Sequence, residues 1–197
     1  MATSRSILLL SGGLFLALAG LTALVGVLPA DTALRDAVLT LAAPPVLGLM
    51  RVVNYAGNWR VLLPGTIVLV LLFRPARARW WVWTGLMVSA PLLEYALKHV
   101  VGRARPEDVS YGFPSGHATA AAAFFGAVIY LAGALPARAR RTARVLAIVV
   151  IVLVAIARVM LRAHWPSDAV GGVALGLALA SAAALVARDQ RFSTGAR

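Results

Sequence analysis

Residues 114–135 read PSGHATAAAAFFGAVIYLAGAL, a polar tetrapeptide that runs directly into an uninterrupted apolar segment. Apolar runs of about 18 residues or more are the sequence signal of a membrane-spanning helix. Pro114, Ser115, Gly116 and His117 therefore stand where the chain enters a bilayer. This stretch predicts a helical membrane protein with polar chemistry at the membrane surface.

The composition of the whole chain agrees with a membrane protein. The 197 residues are 61% hydrophobic and 13% charged, whereas a soluble domain carries roughly 25% charged residues. The absence of cysteine excludes disulfides, thiolate metal ligands and a cysteine nucleophile. The length fits one domain, so residues 1–197 are expected to form a single integral-membrane domain.

Six apolar segments, separated by basic or polar connections, are expected to cross the bilayer. A further apolar run is broken by Pro44 and Pro45, so we expect residues 31–58 to lie at the membrane interface. The predicted fold is an all-α bundle of six transmembrane helices. The expected spans are residues 7–28, 59–73, 80–97, 117–135, 145–159 and 169–187.

The net charge of +12 comes from arginines in short clusters between the apolar segments. Removing the spans leaves no basic soluble surface, so nucleic acid is not expected as a partner. With six spans, Arg5 and the clusters at 74–79 and 138–144 share one face of the membrane. The positive-inside rule makes that face and both termini cytoplasmic, which puts residues 98–116 and 158–168 outside.

All three histidines lie in or beside those two outer segments. These segments also contain the single lysine among the 19 lysines and arginines of the chain. Three clusters stand out along the sequence: Lys98, Arg105 and Pro106; then Pro114, Ser115, Gly116 and His117; and finally Arg158, His164 and Asp168.

The residue types in these clusters suit binding of a phosphoryl group. Lys98, Arg105 and Arg158 supply three positive charges, and phosphoryl transfer is catalysed mainly by positioning and electrostatic stabilisation. Ser115 and Gly116 precede a helix, so their backbone N–H groups and the helix N-terminus offer an anion-binding site.

The histidines and Asp168 supply the proton and electron-pair chemistry. His164 and Asp168 can share one helix face if the last helix begins near Pro166. An aspartate bonded to one ring nitrogen leaves the other nitrogen free to attack phosphorus, and His117 would protonate the leaving oxygen and later activate water. Three cations would repel a divalent metal and no carboxylate cluster is present, so neither a metal nor another cofactor is expected.

The three clusters resemble the signatures of the type 2 phosphatidic acid phosphatase superfamily, K-x6-R-P, P-S-G-H and S-R-x5-H-x3-D. That superfamily also includes bacterial non-specific acid phosphatases and vanadium haloperoxidases, and the six-span layout resembles its membrane branch. The resemblance implies a phosphatase with His164 as nucleophile and His117 as acid and base. One position departs from it, because Ala157 stands where the family has a serine that donates a hydrogen bond to the phosphate.

The expected function is metal-independent hydrolysis of a lipid phosphate or diphosphate through a phosphohistidine, at the outer face of the cytoplasmic membrane. Candidate substrates are polyprenyl diphosphates such as undecaprenyl diphosphate, phosphatidylglycerophosphate and phosphatidic acid. A lipid phosphotransferase with the same site is a close alternative. A transporter or scaffold without strong catalysis is an alternative of another class, with Ala157 as its only support. No motif indicates the oligomeric state.

Four other polar residues are expected to have structural roles. Glu94 is expected to pair with Lys98 one helical turn later. His99 lies outside every motif and is interpreted as structural. Arg103 and Arg162 are interpreted as interfacial anchors.

Overall fold

The computed structural model describes residues 2–193, and every regular element in that range is a helix. The only strand-like feature among these residues is an isolated bridge between Ala104 and Tyr111. The helices are α1 (Ala2–Val25), α2 (Pro29–Leu39), α3 (Pro44–Tyr55), α4 (Trp59–Leu72), α5 (Arg74–Arg77), α6 (Trp80–Val101), α7 (Gly116–Leu131), α8 (Ala137–Met160) and α9 (Pro166–Ser193).

The ends of several helices follow from local sequence chemistry. Helices α2, α3 and α9 begin at a proline, whose missing N–H would have no intrahelical partner in the first turn. Asn58 caps α4 by accepting the Arg60 N–H at 2.9 Å. Gly102 ends α6 in the left-handed conformation with φ of 66°, which glycine adopts without steric cost.

Helices α7 and α9 form the centre of the bundle, and small residues let their backbones approach closely. A Cβ atom at Gly172 would lie 2.5 Å from the Ser115 carbonyl oxygen. A Cβ atom at Gly176 would collide with the Thr119 carbonyl oxygen and lie 2.6 Å from the Ala122 Cβ. Close packing of this kind drives helix association in lipid, where burial of apolar surface contributes little.

The bundle has two chemically different ends. Lys98 in α6, His117 in α7, Arg158 in α8 and Asp168 in α9 define what we call the motif end. The opposite arginine end contains Arg79, whose Nε donates to the Ala187 carbonyl at 3.4 Å near the end of α9. Helix α6 therefore runs from the arginine end to the motif end.

Helices α2 and α3 form a bent pair with an angle of 117° between them. Asp31 in α2 accepts the Ser167 N–H at 2.8 Å at the start of α9. Asn54 near the end of α3 accepts from Arg158 at 2.8 Å. The pair therefore begins and ends at the motif end.

The prediction of a helical membrane protein is confirmed. Within the described residues, four helices are long and apolar enough to cross a membrane, or five if the bent pair is one span. They are Thr3–Val25, Gly116–Ala134, Ala137–Met160 and Pro166–Arg188. Two predicted spans are not among these four: α4 is apolar but has only 14 residues, and α6 has 22 residues. The count of six therefore stays a prediction.

Several helix boundaries differ from the predicted spans, and two of the differences concern residues 31–58 and the fifth span. The interfacial segment 31–58 contains two helices separated by a short turn at Thr40–Ala43. The span predicted at 145–159 begins earlier, at Ala137, so the arginines of 138–144 lie within α8. Arginine has a high helix propensity, which allows the helix to extend beyond its apolar part.

We expect Gly176→Ala to destabilise the protein, because the added methyl group meets backbone and side-chain atoms of α7. Overpacking of this kind costs about 1–3 kcal/mol. Thermal unfolding in detergent would measure the effect, with Gly85→Ala as the control because no atom lies within 4 Å of a Cβ atom there. Equal unfolding midpoints for both variants would contradict close α7–α9 packing.

Candidate active site

His164 and Asp168 form a buried pair at the motif end, as their spacing predicts. Helix α9 begins at Pro166, and the His164 Nδ1 lies 3.3 Å from the Asp168 Oδ2. Only 1% of His164 and none of Asp168 is exposed. The hydrogen bond leaves His164 Nε2 as the ring nitrogen that can carry the reactive lone pair.

Burial lowers the pKa of the His164 imidazole to about 4, from the ordinary value of 6.5. The hydrogen bond to Asp168 opposes this shift in pKa, and the positive charge of Arg158 adds to it. The ring is therefore neutral at physiological pH, which is the form that a nucleophile requires.

Arg103 holds the second oxygen of the Asp168 carboxylate. Its Nη1 donates to Asp168 Oδ1 at 2.7 Å and to Ser167 Oγ at 2.6 Å. Its Nη2 forms an ion pair with Asp31 of α2. Asp31 in turn accepts the Ser167 hydroxyl at 2.8 Å. These contacts tie α2 and the loop after α6 to the start of α9.

The interpretation of Arg103 as an interfacial anchor is wrong. The residue is only 5% exposed, and its guanidinium lies between two buried carboxylates. Removing one partner from a buried ion pair leaves an uncompensated charge, which costs about 3–5 kcal/mol. Arg162 does lie at the surface, where its side chain is 58% exposed and contacts Glu107 at 3.2 Å.

Arg158 extends from the last turn of α8 and is positioned by Asn54 of α3 through a 2.8 Å hydrogen bond. Its Nε is buried without a hydrogen-bond partner among the described residues. An unsatisfied guanidinium N–H is a ready donor for an anion. The neighbouring Ala157 is fully buried beside Met50 and Met160.

Lys98 and Glu94 form the expected ion pair, and both side chains are mostly buried. Glu94 also lies against α7, because a Cβ atom at Gly116 would be 2.8 Å from Glu94 Oε1. A glycine at this position therefore lets the start of α7 approach the ion pair. Lys98 is thus held close to the Ser115–Gly116 backbone.

Arg105 belongs to the loop that follows α6. Its Nε donates to the Tyr111 carbonyl at 3.3 Å, and Asp108 lies 3.7 Å from its Nη1. The loop packs against Asp168 at Gly112. A Cβ atom at Gly112 would lie 2.7 Å from Asp168 Oδ2 and 3.4 Å from Arg105 Cγ. The absence of a side chain at Gly112 therefore lets Arg105 lie near the buried pair.

Ser115 and His117 lie at the start of α7. The Ser115 N–H donates to the Asp168 carbonyl oxygen at 3.0 Å. That donor is therefore engaged within the protein, and the anion site predicted at Ser115 and Gly116 stays a prediction. The buried Oγ of Ser115 has no partner among the described residues, and the N–H groups of the first turn remain orphan donors.

His117 is partly buried. The positive charges of Lys98, Arg105 and Arg158 act on its ring, and His164 is also a neighbour. The structure thus brings together the residues predicted from the three motifs around one position. Among the described residues, no group of three or more histidines and carboxylates could hold a metal ion.

Sequence reasoning missed Asp31, Asn54 and Ser167, which support the site from outside the motifs. Asp31 had a detectable signal, because the chain has only seven acidic residues. Asn54 and Ser167 carried no comparable signal, since neutral polar residues are common at helix ends.

The helical membrane bundle, with its histidine–aspartate pair surrounded by lysine and arginine side chains, is typical of a membrane-bound phosphatase. The sequence profile of the PAP2 superfamily matches residues 79–192, and the chain belongs to that superfamily. The resemblance of the three motifs to this family is therefore confirmed.

The relatives are membrane-lipid phosphatases by name. Phosphatidylglycerophosphatase B of Bacillus subtilis (strain 168) is 30% identical over 182 residues, which cover 84% of this chain and 87% of the relative. Lipid A 1-phosphatase of Rhizobium etli is 34% identical over 122 residues, about half of each chain (51% and 49%).

Two solved structures share the fold. The crystal structure of the first transmembrane PAP2-type phosphatidylglycerolphosphate phosphatase, from Bacillus subtilis, superposes with a TM-score of 0.79 at 27% identity. It covers 100% of this chain and 98% of that one. Aquifex aeolicus LpxE superposes with a TM-score of 0.66 at 16% identity over 84% of this chain and 98% of its own, which shows a shared fold.

We expect Arg103→Lys to lower the kcat for p-nitrophenyl phosphate at least tenfold with little change in KM. Lysine keeps the charge, but it lacks the planar fork that bridges two carboxylates. Asp168 would then lose its fixed orientation, while the phosphate contacts would remain. Arg162→Lys is the matched control because Arg162 is exposed, and equal kcat values in the two variants would refute the positioning role.

The lowered pKa of His164 predicts a pH-dependent loss of stability. The unfolded chain binds this proton near pH 6.5 and the folded chain only near pH 4. The free energy of unfolding should therefore fall with decreasing pH across this window, by about 1.4 kcal/mol per pH unit. The free energy of unfolding of His164→Gln should not show this pH dependence. His99→Gln, which removes an exposed ring, should still show it. Identical pH profiles for all three chains would contradict the neutral buried imidazole.

Proposed function

We propose that this chain removes phosphate from a membrane lipid through a phosphohistidine formed on His164. The observation that carries the proposal is the buried His164–Asp168 hydrogen bond beside Arg158, at one end of a membrane bundle. The names of the relatives support a lipid as the source of the phosphate.

In the first step, His164 Nε2 attacks phosphorus and the bond to the lipid oxygen breaks. His117 donates a proton to that oxygen, so the lipid leaves as an alcohol, or as a monophosphate if the substrate is a diphosphate. Asp168 stabilises the positive charge that develops on the His164 ring. Lys98, Arg105 and Arg158 offset the negative charge on the phosphoryl oxygens, with the start of α7 at Ser115 and Gly116.

In the second step, water attacks the phosphohistidine while His117 accepts its proton. The N–P bond breaks, inorganic phosphate is released and His164 returns to its neutral form. No metal enters either step, because the three cations supply the electrostatic stabilisation. A lipid alcohol in place of water would make the same site a phosphotransferase.

We propose phosphatidylglycerophosphate as the preferred substrate, with phosphatidic acid and undecaprenyl diphosphate as weaker ones. The support is the relative that matches most of this chain, which is named as a phosphatidylglycerophosphatase. Phosphate release from these lipids in detergent with EDTA would test the proposal. Release from none of them would overturn the lipid phosphatase, and a different order of rates would overturn only the preferred substrate.

We further propose six membrane crossings, a single domain over residues 1–197, cytoplasmic termini and an external motif end in the cytoplasmic membrane. The bent pair α2–α3 supports this topology, since Asp31 and Asn54 both contact motif-end residues. A segment that begins and ends at one face does not cross the bilayer. Helices α1, α4, α6, α7, α8 and α9 then supply the crossings.

The topology predicts which positions an impermeant thiol reagent reaches in intact cells. A cysteine at Val109, which is 94% exposed in the motif-end loop, should be labelled. A cysteine at Arg141, in the first turns of α8, should be labelled only after the membrane is permeabilised. The reverse pattern would invert the orientation.

The proposed role of His117 predicts a dependence on the leaving group. General acid catalysis contributes about 10²–10⁴-fold, and an alkoxide needs it far more than a nitrophenolate does. His117→Ala should therefore lose much more single-turnover rate on phosphatidic acid than on p-nitrophenyl phosphate. Equal losses on both substrates would exclude His117 as the acid.

A further inference from the structure

A second cavity lies at the arginine end, far from the motif residues. Lys98 follows Arg79 by 19 positions, which is about 28 Å along a helix. The cavity has a volume of about 470 Å³ and lies where α6 begins and where α7 and α9 end. Its lining includes the side chains of Arg79, Trp83, Tyr130, Leu131 and Arg188.

The charge of this cavity is positive. Arg79 and Arg188 are cationic, and none of the described residues that line the cavity is acidic. Arg79 is already oriented, because its Nε donates to the Ala187 carbonyl. Arginine presents several N–H donors in a planar fork, which matches the oxygen atoms of a phosphate.

Trp83 also lines the cavity, and its indole N–H is a buried donor. The residue is only 4% exposed, and its indole N–H has no hydrogen-bond partner among the described residues. A buried donor without an acceptor costs about 1–3 kcal/mol, so an acceptor for this N–H would remove a penalty. Tyr130 does not accept from this N–H, and its hydroxyl lies 2.8 Å from Ser181 Oγ.

Two apolar grooves lie beside the cavity. One is formed by α4, α7 and α8 and shares Leu131 with the cavity; it is lined by Val68, Leu72, Val128 and other apolar side chains. The second lies between α6 and α9, around Val82 and Leu86. A positive cavity next to apolar grooves fits an amphiphile, whereas a free phosphate ion would fill only the cavity.

We propose that the cavity binds the phosphodiester headgroup of an anionic phospholipid, with an acyl chain in the groove next to Leu131. Arg79 and Arg188 contact the phosphate oxygens, and the Trp83 N–H donates to an oxygen of the headgroup. Basic pockets between transmembrane helices are a known way to hold anionic headgroups. The proposal is independent of the reaction at His164.

The alternative is that these arginines only set topology, as basic residues next to a span commonly do. In that case any arginine at this end would contribute equally to lipid binding. Arg188 and Arg141 are both exposed, and the change to glutamine removes one charge from each. Arg188 lines the cavity and Arg141 does not, so the two variants form a matched pair.

The test is a titration of delipidated, detergent-purified protein with phosphatidylglycerol, phosphatidylcholine or inorganic phosphate. Native mass spectrometry counts bound lipid, and the thermal midpoint reports stabilisation. We expect phosphatidylglycerol alone to bind tightly and raise the midpoint. Arg188→Gln should raise the Kd for phosphatidylglycerol about tenfold, which is the effect of losing one charge-assisted hydrogen bond. Arg141→Gln should have the same Kd as the wild type.

Trp83→Phe is the second variant, because it keeps an aromatic side chain but removes the indole N–H together with the five-membered ring. It should also weaken binding of phosphatidylglycerol, and its stabilisation by lipid is measured from its own midpoint in lipid-free detergent, because the smaller ring leaves buried space. The catalytic residues are intact in every variant, so lipid bound near His164 contributes equally to all of them. Equal weakening by Arg188→Gln and Arg141→Gln would overturn the site. Full stabilisation by inorganic phosphate or by phosphatidylcholine would overturn the anionic phospholipid as its ligand.

Discussion

The Asp168 carboxylate is the constraint on which the rest of the motif end depends. Oδ1 accepts from Arg103, and Oδ2 accepts from the Trp165 N–H at 3.0 Å and lies 3.3 Å from His164 Nδ1. The backbone carbonyl of the same residue accepts the Ser115 N–H. One residue therefore fixes the candidate nucleophile, the loop after α6 and the start of α7. A carboxylate with so many donors has little freedom to move, which suits a group that must orient an imidazole.

This arrangement requires the close approach of α7 and α9. The Ser115 N–H reaches Asp168 because Gly172 leaves room beside the Ser115 carbonyl oxygen. Small residues in a membrane helix usually serve association between helices. Here they also set the distance between Ser115, at the start of α7, and Asp168 in α9. The same small residues therefore determine both the packing of the two helices and the geometry of the site. Asp31 extends the same network to α2, which lies outside the matched family region at 79–192.

The class of fold and the motif residues could be predicted because their signals are local in sequence. Apolar runs indicate membrane helices, and the spacing of His164 and Asp168 predicts their contact once α9 begins at Pro166. Arg103 was misinterpreted because its role depends on Asp31, 72 positions earlier. The residues next to Arg103 in the sequence do not distinguish it from the many other arginines. The use of the Ser115 N–H was unpredictable for the same reason, since its acceptor is a backbone oxygen of another helix.

The central claim is that His164 carries the phosphoryl group, and trapping the covalent intermediate tests it most directly. The protein would be mixed with a labelled phosphate substrate, quenched within milliseconds under alkaline denaturing conditions that preserve phosphohistidine, and digested for mass spectrometry. The account predicts one phosphorylated peptide, modified at His164, which is absent from His164→Ala and accumulates in His117→Ala because water is no longer activated. A phosphoryl group on any other residue, or an unchanged phosphoenzyme level in His164→Ala, would contradict it.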